Sequence, residues 1–220
     1  MKLIITESQY KILMEDLSDE GELYPIDFEN IVGDTIEDRL IKGFNRFKKI
    51  SDNFSGIKII GDLELSSIFG DIIYTICKNV VEIDGNFEFK GRWGLDFPKL
   101  KRVTGDLRLY GSDLPELEFV GGILNLDSSR IKSLPKLKEV GEGLYLRQCE
   151  RLKDLSKLER VGGTLNLDRT TITELPNLIF VGGNLSLKLS DLGFDVKRMS
   201  EEERLEFMNK INVQGVVILG

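Results

Sequence analysis

The sequence predicts a mainly β solenoid of about seven coils, with a parallel ladder of short strands along one side and helical caps at both ends. Three observations carry this. Five segments align without gaps and share the pattern LPxLxxVGGxLxL: FPKLKRVTGDLRL from Phe97, LPELEFVGGILNL from Leu114, LPKLKEVGEGLYL from Leu134, LSKLERVGGTLNL from Leu155 and LPNLIFVGGNLSL from Leu175. The interval from the first residue of the pattern to the first leucine of its LxL pair is ten in all five. Within LxL the alternation has period two, so the leucines share one face of a strand and the residue between them lies on the other.

Residues 1–52 are read as an N-terminal helical cap segment. Thr6 and Gln9 make a capping-box spacing ahead of a helix carrying Tyr10, Leu13 and Leu17. A second helical stretch places Ile36, Leu40, Phe44 and Phe47 on one stripe. That stripe either closes the first coil or binds a partner.

Residues 53–190 form the solenoid. Two weaker copies precede the five strong ones: FSGIKIIGDLEL from Phe54 retains Ile59, Gly61, Leu63 and Leu65, and CKNVVEIDGNFEF from Cys77 retains Val80, Ile83, Gly85, Phe87 and Phe89. The connections DSSRIKS, RQCERLKD and DRTTITE each carry one apolar residue, Ile131, Leu152 or Ile172, whereas YGSD alone links Leu109 to Leu114. Length variation confined to one connection is how a solenoid accepts insertions. The glycine pairs are expected to supply a turn of positive φ and to let coils approach without Cβ clashes. Their recurrence once per coil marks them as structural rather than as a phosphate loop.

Residues 191–220 are read as a C-terminal helix and strand cap. Ser200 and Glu203 repeat the capping-box spacing, Leu205, Met208 and Ile211 form an apolar stripe, and VQGVVILG reads as a last strand.

Composition narrows the chemistry. The chain of 220 residues has 37 acidic and 30 basic side chains, interspersed, for a net charge of −7, so nucleic acid is not the default partner. There is no histidine, which removes the commonest general base and metal ligand. Cys77 and Cys149 show no CxxC spacing and are expected to be free buried thiols rather than a zinc site or disulfide. The N-terminal apolar run is too short for a signal-peptide core or a membrane span, so a cytoplasmic protein off the membrane is expected, and the sequons at Asn53 and Asn184 carry little meaning. Glu201 to Glu203 read as a helix start, and Asp127 with Asp168 has no accompanying base or nucleophile. The expectation is therefore no enzyme, with no catalytic residue, no metal and no cofactor.

The LxxVGGxLxL coils, over roughly residues 54 to 189, resemble the leucine-rich-repeat superfamily, and more closely the VGG variant of receptor-L-domain-like coils and of bacterial and phage repeat proteins. The LxxNxL asparagine of standard leucine-rich repeats is missing. The resemblance implies a fold and leaves function to the surface. It also allows a phage-encoded adaptor or inhibitor that acts on a host protein by occluding its surface.

A partner, expected to be another protein, would meet residues that point away from the core. The central column of the LxL strands reads Glu64, Glu88, Arg108, Asn125, Tyr145, Asn166 and Ser186, and the column two residues later reads Ser66, Lys90, Tyr110, Asp127, Arg147, Asp168 and Lys188. Tyrosine and arginine concentrate binding energy, so Arg108, Tyr110, Tyr145 and Arg147 are expected to cluster. Charge-paired decoration of a solvated sheet is the competing reading. The residue before the valine of VGG reads Arg102, Phe119, Glu139, Arg160 and Phe180. Phe119 and Phe180 are either apolar contacts or, as solubility favours, covered. An alternative function is binding of a nucleic-acid backbone by the ridge of Lys99, Lys101, Arg102, Lys136, Lys138, Lys157 and Arg160, which Glu116 and Glu118 interrupt. Trp93 is a loop anchor or a stacking platform.

Overall fold

The computed structural model describes residues 23–27, 42, 56–65, 75–89, 96–110 and 113–219. The helices expected from Tyr10 to Leu17 and around Ile36 to Phe47, the outward residues Ser66 and Lys90, and Trp93 lie outside the described residues, apart from Lys42 within the second helix.

The chain winds as a β-solenoid in which each coil gives one strand to each of two parallel sheets. In chain order these are β1 (Leu23–Asp27), β2 and β3 (Gly56–Ile60, Leu63–Leu65), β4 and β5 (Val80–Asp84, Phe87–Phe89), β6 and β7 (Arg102–Val103, Leu107–Arg108), β8 and β9 (Phe119–Val120, Leu124–Asn125), β10 and β11 (Glu139–Val140, Leu144–Tyr145), β12 and β13 (Arg160–Val161, Leu165–Asn166), and β14 and β15 (Phe180–Val181, Leu185–Ser186). Helices α1 (Asp191–Arg198) and α2 (Glu201–Lys210) follow, then β16 and β17 (Asn212–Val213, Val217–Ile218). Even-numbered strands and β1 make a nine-stranded sheet, and the remaining odd-numbered strands make an eight-stranded one.

The expected LxL ladder is the eight-stranded sheet, in register from Phe87 and Leu107 through Leu124, Leu144, Leu165 and Leu185 to Val217. The nine-stranded sheet was not anticipated. Its strands from β6 onward are two residues long, too short for any periodic signal. The core is the interior shared by both sheets and the connections: Val103, Val120, Val140, Val161 and Val181 from one sheet, the LxL leucines from the other, and Ile131, Leu152 and Ile172 from the third side are all buried.

The glycines satisfy one half of the expectation and not the other. Positive φ occurs at Gly61 (100°) and Gly85 (146°), not at the repeated pairs. The left-handed corners instead belong to Ser128, Gln148, Arg169 and Leu189, with φ of 58°, 62°, 57° and 54°. Each sits in a four-residue turn, closed by Ser129, Cys149, Thr170 and Ser190 N–H donating to the carbonyls of Leu126, Leu146, Leu167 and Leu187. Glycine is needed for proximity: a Cβ on Gly141, Gly162 or Gly182 would run into the carbonyl of the glycine one coil earlier, Gly121, Gly141 or Gly162.

Carboxylate and amide side chains also stitch the coils. Asp62 Oδ1 accepts from Asn86 N–H, Asn86 Oδ1 from Asp106 N–H, Asp106 Oδ1 from Ile123 N–H, and Asn184 Oδ1 from Val216 N–H, at 2.7 to 2.9 Å. Asx bridges are therefore present without the LxxNxL asparagine, at the residue just before the LxL strand in the first three described coils and again at Asn184, while Ile123, Gly143 and Thr164 hold that position in between.

At both ends the described residues add strands to the expected helical caps. Leu23–Asp27, inside the segment read as helical, is a strand that pairs in parallel with β2. Pro25 in it lacks a donor, which suits the edge position β1 holds among the described residues. At the other end the capping box of Ser200 and Glu203 forms as expected, and Ser200 also has a counterpart in Ser190, which caps α1. Yet α2 buries no residue, and Leu205 is 61% exposed. The last strand is one half of an eighth coil: Val213 pairs with Val181, and Val217 with Leu185. The two helices are a long connection within that coil, with Ile211 returning to the core.

Candidate functional site

The outward face of the eight-stranded sheet carries most of the residues singled out from sequence, and the strand register places them in the columns expected. Arg108, Asn125, Tyr145, Asn166 and Ser186 are consecutive partners. What the structure changes is which of them are available to a partner.

Asn125, Asp127, Asn166 and Asp168 are engaged in holding the backbone. Asn125 Oδ1 accepts from Asp127 N–H at 3.0 Å, and Asn166 Oδ1 from Asp168 N–H at 2.9 Å. Asp127 Oδ1 accepts from Arg147 N–H at 2.7 Å in the next coil. Asp168 Oδ1 accepts from Lys188 N–H at 2.8 Å and from Ser186 Oγ at 2.6 Å. The bonds to the Asp127 and Asp168 carboxylates are of the stronger, charge-assisted kind, so these side chains are held, Asp127 and Asp168 with acceptor capacity to spare and Asn125 and Asn166 with their amide donors.

The four tyrosines and arginines do not form one cluster. The coils stack in register, but the coil bearing Asn125 and Asp127 separates Arg108 and Tyr110 from Tyr145 and Arg147, about 10 Å apart at two strand spacings. Arg108 pairs with Asp106 at 2.8 Å and Arg147 with Asp127 at 3.8 Å. The first pair lies within one coil and the second crosses between neighbouring coils, as charges on a solvated sheet do. The tyrosines remain. Tyr110 is 52% exposed. Tyr145 is half-buried, and its ring lies over Gly143, so close that a Cβ there would strike Cε2, Cζ and the hydroxyl. Gly143 therefore makes room for the ring against its own backbone, which a sequence read for glycine pairs does not reveal.

Phe119 and Phe180 sit on the other sheet, in the column Arg102, Phe119, Glu139, Arg160 and Phe180 that the register confirms. They are neither core nor open, both being half-buried. The Arg102 guanidinium carbon stands 4.0 Å from the Phe119 ring centroid, and Arg160 stands 4.5 Å from that of Phe180. The cover is thus an arginine of the preceding coil rather than a cap or loop. These cation–π contacts also occupy two cations of the proposed ridge. Of the others, Lys136 pairs with Glu116 at 2.6 Å, and the adjoining column alternates Lys101, Glu118, Lys138 and Glu159.

Both thiols are buried and free. Cys149 is stacked between small polar residues, with Ser129 Oγ at 3.4 Å and the Leu126 carbonyl accepting from Sγ at 3.1 Å. Burial pushes the Cys77 thiol up to about 12 and raises that of Cys149, the direction opposite to an activated nucleophile. A shallow depression of about 370 Å³ lies at the start of the ladder, lined by Asp62, Glu64, Asn86, Glu88, Asp106 and Arg108. Two of those carboxylates belong to the Asx bridges. Among the described residues no group of three or more Cys, Asp or Glu side chains is placed to hold a metal ion, and no helix is long and apolar enough to cross a membrane. No protein-family model, curated protein or solved structure matches the chain.

Proposed function

We propose that the protein is a non-catalytic, cytoplasmic protein-binding module that uses the outward face of the eight-stranded sheet to occlude a partner surface, as an adaptor or inhibitor. One observation carries the reading: the half-buried Tyr145 ring is packed against Gly143 on a face whose Asn and Asp oxygens are held by backbone hydrogen bonds. A rigid aromatic on a rigid sheet offers contact area at little cost in side-chain entropy. Tyr110, 52% exposed, extends the contact by two coils, and Arg147 gives it a charged rim. The resemblance to small phage repeat proteins supports the inhibitor form of this reading, with a host protein as target.

The test compares the protein with a Tyr110→Ala, Tyr145→Ala, Arg147→Ala variant as bait for a lysate of the source cell. The expected result is a protein retained by the native chain and lost, by about a hundredfold in affinity, from a variant that melts at the same temperature. Equal retention by the variant contradicts the face assignment. Retention of nucleic acid alone, released by salt, would favour the Lys/Arg ridge instead.

A further inference from the structure

Charges on neighbouring coils alternate over most of this surface. Lys101, Glu118, Lys138 and Glu159 follow one another up one column, Asp127, Arg147, Asp168 and Lys188 up another, and Glu139 pairs with Arg160. Where like charges do adjoin, an opposite one is at hand: Lys136 beside Lys157 is held by Glu116, and Glu88, the partner of Glu64, is itself paired with Arg108. Opposite charges across strands stabilise and like charges destabilise, so this alternation is what stability alone would produce.

The third side of the solenoid breaks the pattern at one place. Ser133 and Asp154 form a parallel bridge, and Lys153 N–H donates to the Lys132 carbonyl at 2.9 Å. The bridge sets Lys132 beside Lys153 and Ile131 beside Leu152, whereas Ser129 stands beside Cys149; the one extra residue of the later coil is taken up in the turn closed by Leu152 N–H on the Cys149 carbonyl at 3.0 Å, so Arg130 faces Glu150 and Arg151 together. Ile131 and Leu152 are buried, while all four cations flanking them are exposed. The result is a rough square of four positive side chains, with the backbones of Lys132 and Lys153 about 5 Å apart and Arg130 and Arg151 on the other side of the buried Ile131 and Leu152. None of the four forms an ion pair with a described carboxylate. The nearest acids in sequence do not relieve them: Asp154 turns its Oδ1 to the Ser156 N–H at 2.8 Å, and Glu150 makes no ion pair. In the next coil the matching positions are Thr171 and Thr173, so the charge stops there.

We propose that this square binds an acidic, extended peptide segment of a partner protein. A local rule broken without a structural gain points to a site with another use. The size selects the occupant. Two cations by two match carboxylates on alternate residues of one extended chain, which lie about 7 Å apart on one face. A nucleic-acid backbone or an anionic membrane needs a longer basic track than two coils supply. This face is separate from the tyrosine face, and its test does not require the partner proposed above.

The probe is a short fluorescein-labelled peptide of alternating glutamate and serine, titrated with the full chain and followed by anisotropy. The native protein should bind it, more weakly as salt rises. The Arg130→Gln, Lys132→Gln, Arg151→Gln, Lys153→Gln variant should bind at least about tenfold more weakly and melt at a higher temperature, since like-charge repulsion is removed. A Lys99→Gln, Lys101→Gln, Lys138→Gln, Lys157→Gln variant carries the same change in net charge and should bind as the native chain does. Equal weakening in both variants, no binding by the native chain, or tighter binding of an oligonucleotide of equal charge at the square would each overturn the proposal. If the square variant loses both stability and binding, the single pair Lys132→Gln, Lys153→Gln decides: a folded pair variant with native affinity overturns it too.

Discussion

At the scale of single residues, the coil is set by contacts that admit no side chain. Gly162 meets the carbonyl of Gly141, and Gly182 that of Gly162. Gly162→Ala should therefore push two coils apart and cost about 3 kcal/mol by overpacking, read as a lowered urea midpoint. A variant of native stability would mean the coils stack more loosely than described. The same column carries Ile60 and Asp84 in the early coils, where the strands of this sheet are five residues long, so a search for a uniform VGG loses the first coils.

The thiols supply a pH prediction of definite sign. Burial raises Cys77 in the folded chain to about 12 from an ordinary value of 9.0. Below pH 9 the thiol is protonated in both states and contributes nothing. As pH rises above 9 only the unfolded chain ionises, so stability falls, until the folded thiol also ionises near 12. Between pH 8 and 10 the native protein should lose about 1.4 kcal/mol more than a Cys77→Ala variant does. A difference of zero would mean the thiol is accessible to solvent.

At the scale of elements, what repeated was legible and what occurred in short pieces was not. The LxL strands follow from alternation, and all their described leucines are buried. The xV strands of the second sheet offer two residues each, and valine before glycine reads as a turn. The corners at Ser128, Gln148, Arg169 and Leu189 share no residue type; only the small polar residue after each, Ser129, Cys149, Thr170 or Ser190, marks the column. The eighth coil was legible in part, because Val213, Gly215, Val217 and Leu219 keep the spacing of Val181, Gly183, Leu185 and Leu187. The intervening helices hide its continuity with the ladder.

The candidate site was legible by column and not by availability. Alternation along the strand places Asn125, Asp127, Asn166 and Asp168 outward correctly. Only coordinates show that their oxygens already accept backbone donors. Phe119 and Phe180 were ambiguous for a related reason: the covering arginine lies about one coil earlier in sequence, at Arg102 and Arg160, a separation that no local pattern reports.

At the scale of the molecule, stability passes from coil to coil through nearest neighbours. In the eight-stranded sheet each coil donates its leucine N–H forward, Leu144 to Thr164, Leu165 to Asn184 and Leu185 to Val216. Val217 holds the same position on β17, the end of the ladder among the described residues. Its amide should exchange with solvent at least about a hundredfold faster than those of Leu144 and Leu165. Equal protection at Val217 would mean that something pairs with this edge.

The central claim is that a rigid solenoid presents Tyr145 and its neighbours to a protein. Photo-crosslinking tests it most directly, with Tyr145→benzoylphenylalanine and, separately, Lys101→benzoylphenylalanine irradiated in a lysate of the source cell. The account predicts a discrete protein adduct from position 145 and none from position 101. An adduct from position 101 alone, on the opposite sheet, would contradict it.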